Sequence, residues 1–126
     1  MAVAARVKPK DFFTDREWAP LAARSNWFGL WLVAHAWLTI AAASAVFIVF
    51  PNPLTFVLAV MVIGARQLGL AILMHEAAHG CVHPNIKVND FVGQWLCGAP
   101  TNGDLLRYRD YHLQHHKYAQ QAEDPD

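Results

Sequence analysis

Between Trp27 and Phe50 the chain runs roughly two dozen residues without an Asp, Glu, Lys or Arg. At about 1.5 Å of rise per residue, a helix of that length exceeds the ~30 Å hydrocarbon core of a bilayer. The run reads as a membrane span rather than as soluble core. Pro51-Asn52-Pro53 then breaks it, because proline cannot continue a helix and disfavours helix in the residue before it. A second apolar run, Leu54–Met74, returns across the bilayer. The fold class that follows is all-α: a transmembrane helical hairpin with spans at about 27–50 and 54–74, carrying cytosolic histidine-bearing helices.

Charge fixes the orientation. Arg6, Lys8, Lys10, Arg16 and Arg24 precede the first span, and Lys87, Arg107, Arg109 and Lys117 follow the second. The connection between the spans holds no Lys or Arg, so both termini are expected in the cytoplasm. Residues 1–26 then form a cytosolic tail and 75–126 a cytosolic histidine region. A basic start before an apolar run resembles a signal peptide, but this run begins late and is too long for one. Asp15-Arg16-Glu17-Trp18 begins a short interfacial helix with Trp18 at headgroup level; the alternative is a partly disordered leader. The sequence is 55% hydrophobic with a net charge of +0, which gives no reason to expect nucleic acid as a partner. Cys81 and Cys97 lack zinc-knuckle spacing and read as unpaired packing residues.

Two polar residues interrupt the spans. His35 lies in the first and reads as a buried, neutral, hydrogen-bonded histidine rather than a ligand. Arg66 lies in the second, where an unpaired charge costs roughly 2.5–3.5 kcal/mol. At about 100° per residue it lies opposite His75. It is therefore expected to pair inside a larger helix bundle, not to face a metal.

The second span is expected to continue past Met74 and stop at Gly80. It then carries His75 and His79, spaced i, i+4, on one face just above the membrane. Pro84-Asn85 marks a turn. Asp90–Cys97 places Phe91, Val92, Trp95 and Leu96 in an amphipathic pattern, too short to span, with Phe91 and Trp95 dipping into lipid. Gly98-Ala99-Pro100 is expected to end that helix. Leu105–Gln121 reads as a polar helix presenting His112, His115 and His116 at i, i+3, i+4.

The histidines admit two chemistries. His75-Glu76-x-x-His79 on a helix is a zinc metalloprotease signature with Glu76 as general base. That reading gives the second cluster little to do. The other reading is a polyhistidine non-haem iron site, which imidazoles suit and which needs ligands from more than one helix. His83 is a further candidate, though Gly80 and Pro84 flank it. Glu76, Asp110, Asp124 and Asp126 are candidates to orient a ligand imidazole.

The segments Leu70–Gly80 and Arg109–His116, followed by Glu123-Asp124-Pro125-Asp126, resemble the first two histidine boxes of the integral-membrane fatty acid desaturase superfamily. The resemblance implies that His75, His79, His112, His115 and His116 ligate a diiron centre. It implies O2 as co-substrate, a lipid acyl chain as substrate, and an electron carrier such as cytochrome b5 or ferredoxin. An unactivated methylene resists acid–base chemistry, so the cofactor supplies the hard step. The expected reaction is introduction of a double bond into a fatty acyl chain. Lipid hydroxylation and carotenoid ketolation are alternatives within the superfamily. A membrane zinc protease and a non-catalytic hairpin with relic histidines are alternatives outside it. The superfamily pattern includes a third histidine box that this sequence lacks. The chain is therefore expected to be an N-terminal fragment, inactive alone.

Overall fold

The structure is a computed structural model describing residues 8–125. Arg6 of the basic tail and Asp126 of the acidic end lie outside those residues. Every regular element among the described residues is helical. After a single 3-10 turn at Pro9–Asp11 come α1 (Asp15–Ala22), α2 (Phe28–Val49) and α3 (Pro53–Ala78). A continuous helical stretch follows, with α4 at Ile86–Phe91, a π turn at Val92–Gly98 and a 3-10 turn at Ala99–Thr101. The last element is α5 (Leu105–Tyr118).

Thr14 starts α1 where the sequence places it. Its side chain accepts from the Glu17 N–H while the Glu17 carboxylate accepts from the Thr14 N–H at 2.9 Å, a reciprocal capping box. The Pro-Asn-Pro break also starts α3. Pro53 takes the first helical position, and the Asn52 side chain accepts from the Thr55 N–H at 3.0 Å. A first-turn proline loses no hydrogen bond there.

Helices α2 and α3 are both long and apolar enough to cross a membrane. They pack through Val33, Ala36, Leu70 and Met74, and the same cluster includes Ala77, Ala78, Val82, Val92, Cys97 and Leu105. Outward-facing Leu38, Ile48, Val49, Leu58, Met61 and Leu68 are exposed. Contact with lipid would cover that apolar surface. His35 corrects the sequence reading. Val33 and Ala36 face α3, which turns His35 to the exposed side, with its ring 6.2 Å from Trp31. Because α2 is apolar all round, its sequence carries no mark of which face is inner. Arg66 is half-buried on α3.

At 26 residues, α3 is about 39 Å long, more than the ~30 Å hydrocarbon core of a bilayer. It ends at Gly80, whose φ of +68° is left-handed, a conformation that favours glycine. Arg24 seals this end by donating from Nη1 to the Gly80 carbonyl at 2.6 Å.

The stretch after α3 departs from the sequence reading. Its helix begins at Ile86, not Asp90, because the Asn85 side chain accepts from the Lys87 N–H. Gly98-Ala99-Pro100 does not end it. The helical path tightens into the 3-10 turn and stops at Asn102, which adopts a left-handed φ of 60°. Pro100 has no N–H to offer the Leu96 carbonyl four residues earlier. The Trp37 indole N–H donates to that carbonyl instead, at 2.9 Å. The stretch runs down the side of α3. Gly93 lies against Ala77, Gly98 against Met74, and Pro100–Asn102 beside Gln67, Leu68 and Ala71. At Gly93 a Cβ would overlap the Ala77 methyl and press on Leu105, so glycine permits this close approach. Phe91 and Trp95 point outward, each 61% exposed, while Val92 and Cys97 face inward.

Candidate metal centre

The last turn of α3 and the middle of α5 face each other through imidazoles. His75 and His79 project from α3 one turn apart, and His112 and His116 from α5 one turn apart. The Nε2 of His112 is the hub, 2.7 Å from that of His75, 3.0 Å from His79 and 2.9 Å from His116. The His75 and His79 Nε2 atoms are 3.3 Å apart. One nitrogen from each of the four rings lies within 4.8 Å of all the others.

Four ring nitrogens turned on one point are poor partners for each other, because a neutral imidazole offers one donor and one acceptor. A metal ion answers all four lone pairs together. Metal–imidazole bonds of about 2.0–2.1 Å separate neighbouring ligand nitrogens by about 3.0–3.4 Å, depending on coordination geometry. The observed separations fit that spacing after small adjustment. Imidazoles suit iron, zinc, copper or nickel, so the donor set alone does not select among them. Partial burial lowers the pKa of His79 and His112, with the neighbouring histidines adding to the effect. Both are thereby favoured in the neutral, ligating form.

The surrounding groups fix ring orientation. The Glu76 carboxylate lies 3.6 Å from His75 Nδ1, on the far side of the ring from the converging nitrogens. The Tyr108 ring stacks on His112 with centroids 5.0 Å apart and planes 11° apart, and it meets His75 edge-on. A cavity of about 640 Å³ between α1 and the ends of α2 and α3 is lined by Trp18, Arg24, Phe28, Leu32, Leu73 and Glu76, among others. None of the four histidines lines it.

Of the five histidines singled out by spacing, His115 stands outside the quartet. Its Nδ1 pairs with Asp124 at 2.7 Å, and its ring centroid lies 6.4 Å from that of His112. Asp124, a candidate to orient a ligand imidazole, thus meets a histidine that lies outside the quartet. Asp110 is exposed on α5, and no contact joins it to the four rings. His83 is turned into its own loop, where its Nδ1 accepts from the Asn85 N–H at 3.0 Å.

Sequence reasoning missed Tyr108, Asn89, Asp90 and the work done by Arg109. Asn89 is fully buried. Its side chain accepts from the Val82 N–H at 3.1 Å and donates to the Ala77 carbonyl at 2.9 Å. Arg109 bonds the carbonyls of Ala77 and Ala78 and the carboxylate of Asp90. That contact holds the Asp90 pKa below the usual carboxylate range, chiefly through hydrogen bonding to Arg109. The arginine sits one turn before His112, a position that hinted at a role facing α3.

The sequence model of a family described as fatty acid desaturase matches residues 51–126. A beta-carotene ketolase from Paracoccus sp. (strain PC1) is 35% identical over 103 residues, a region covering 76% of this chain and 38% of that protein. The chain thus spans well under half the length of that curated relative. No solved structure matches it.

Proposed function

Since this chain belongs to the fatty acid desaturase family, we propose that it serves an O2-dependent, iron-containing oxidoreductase that oxidises an unactivated C–H bond of a membrane lipid. The observation that carries this reading is the convergence of four imidazole nitrogens from α3 and α5 at the end of an apolar helix pair. In it, α2 and α3 cross the bilayer, residues 1–26 and 75–126 lie on the cytoplasmic side, and the protein is multi-pass with both termini there. Lys and Arg on either side of the spans support that orientation.

His75, His79, His112 and His116 would hold one iron. His115, oriented by Asp124, is the ligand proposed for a second. Iron bound there supplies O2 activation and the oxidising power that a methylene C–H demands. The chain's residues do the rest. The Glu76 carboxylate, 3.6 Å from His75 Nδ1, favours a proton on that nitrogen by its charge and so leaves the opposite nitrogen free for the metal. Tyr108 keeps the His112 ring from rotating. The spans line the apolar side from which a lipid chain approaches. An electron carrier such as cytochrome b5 or ferredoxin completes the proposed cycle.

The finer reading is introduction of a double bond into a fatty acyl chain, which the family description supports. Oxidation of a carotenoid ring carbon to a ketone is a second reading, favoured by the similarity to the Paracoccus ketolase. The zinc-protease reading fits the geometry less well. A catalytic zinc keeps three protein ligands and an open position, whereas four imidazoles converge here. Glu76 also faces the back of His75 rather than the metal position. The test is metal and product analysis of the full-length protein in lipid with O2 and an electron donor. About two irons per chain, as a dinuclear centre requires, and a lipid carrying a new double bond or ketone are expected. Zinc in place of iron, with no oxidised lipid, would overturn the reading.

A further inference from the structure

We propose that Arg109, braced by Asp90, is a positioning residue. It locks α5 against the last turn of α3 so that the four imidazoles are apposed before any metal arrives. The inference rests on the metal-centre reading and goes one step beyond it.

Arg109 lies on α5 one turn before His112. Its Nε donates to the Ala78 carbonyl at 3.0 Å, and its Nη2 donates to the Ala77 carbonyl at 2.9 Å. Both acceptors belong to the segment of α3 between His75 and His79. Carbonyls at a helix C-terminus lack the regular partner four residues on, Ala77 accepting instead from the Gly80 N–H at 2.9 Å, and they carry the negative end of the helix dipole. A guanidinium there answers both needs. Nη1 and Nη2 also grip the Asp90 carboxylate as a fork. Asp90 is held in turn by the Asn89 amide at 2.9 Å, and that same amide reaches the Ala77 carbonyl. The arginine side chain is only 18% exposed.

The consequence for the site is geometric. The α3 imidazoles are fixed by their own helix, and the α5 pair by another. Among the described residues, and apart from the rings themselves, Arg109 makes a polar side-chain link that joins these two helices directly. A slide of α5 by a fraction of a turn would carry His112 out of reach of both His75 and His79. Lysine keeps the charge but is a single point donor and cannot copy the fork and the two carbonyl bonds together.

The test uses the full-length protein in lipid nanodiscs, metal-free and then titrated with Co(II). A spin label on exposed Cys81 and a second on Leu113→Cys report the separation of the two segments; Cys97 is buried and stays unlabelled. The metal-free protein is expected to give one narrow distance distribution, and Arg109→Lys and Asp90→Asn broad ones. Co(II) affinity is expected to fall about 10–100-fold in both variants, with altered d–d bands. An unchanged, narrow distribution in Arg109→Lys would overturn the proposal whether or not cobalt binds. Failure of the unsubstituted protein to bind Co(II), with its distribution still narrow and that of Arg109→Lys broad, would instead overturn the metal-centre reading and leave the clamp standing.

Discussion

The Nε2 of His112 stands 2.7 Å from the Nε2 of His75, although the two residues are 37 positions apart in the chain. Two neutral imidazoles at that distance share one proton at most. His79 and His116 crowd the same point, where no arrangement of protons satisfies all four rings. The register of α5 on α3 is therefore the variable that decides whether this chain has a site.

That register depends on a buried amide. Asn89→Ala removes the partner of the Val82 N–H and one partner of the Ala77 carbonyl. The Ala77 carbonyl keeps Arg109 and the Gly80 N–H, but leaving the Val82 N–H unpaired costs about 1–3 kcal/mol. The expected outcome is a lower thermal midpoint by circular dichroism in detergent, with the helical signal at low temperature retained. An unchanged midpoint would mean that the contacts of Asn89 do not hold the loop.

Gly93 sets how closely the π turn approaches α3. Gly93→Val places a branched side chain against Ala77 and Leu105. Overpacking of this kind typically costs about 1–3 kcal/mol. Loss of stability together with loss of bound metal is expected, because α5 begins at that same Leu105. Gly64, where a Cβ meets nothing within 4 Å, is the control, and Gly64→Ala should leave both readouts as they were.

Acid should loosen the clamp in a defined direction. The Asp90 pKa is lowered in the fold by hydrogen bonding to Arg109. A depressed carboxylate contributes stability above its unfolded pKa, near 3.9, and loses it as pH falls through the folded value. Stability owed to this pair is thus full at neutral pH and fades only below about pH 4. In Asp90→Asn that acid-dependent component should vanish from a pH series of unfolding midpoints. A series identical to that of the unsubstituted protein would contradict the assignment.

Much of this was legible in the sequence, for physical reasons. The two apolar runs and the Pro-Asn-Pro break placed α2 and α3 to within a few residues, because length and proline act locally. Gly80 marked the end of α3 because its left-handed φ is a local property. Histidine spacing found all four rings of the quartet. The sequence could not reveal that His115 turns to Asp124, since two residues of one helix do not announce which neighbour each will meet. His35 was misplaced because a uniformly apolar helix has no readable inner face. The helical path through Pro100 was missed because its support is Trp37, 59 residues away in the chain.

The same Trp37–Leu96 contact bears on the membrane. The stretch from Gly93 to Asn102 lies along α3 from Ala77 to Gln67, a level that the proposed membrane arrangement sets inside the bilayer. Brominated acyl chains should quench a tryptophan component that disappears in Trp95→Phe. If acrylamide in the water phase quenches that component and bromolipid does not, the segment lies outside the bilayer.

The central claim is that α3 and α5 serve one shared iron. The most direct measurement is the iron content per chain of the full-length protein and of its His79→Ala and His112→Ala variants, purified alike in lipid. The account predicts that each substitution, though on a different helix, lowers iron by the same amount, and that the double variant loses no more than either alone. Iron content unchanged in either variant, or losses that add, would contradict it.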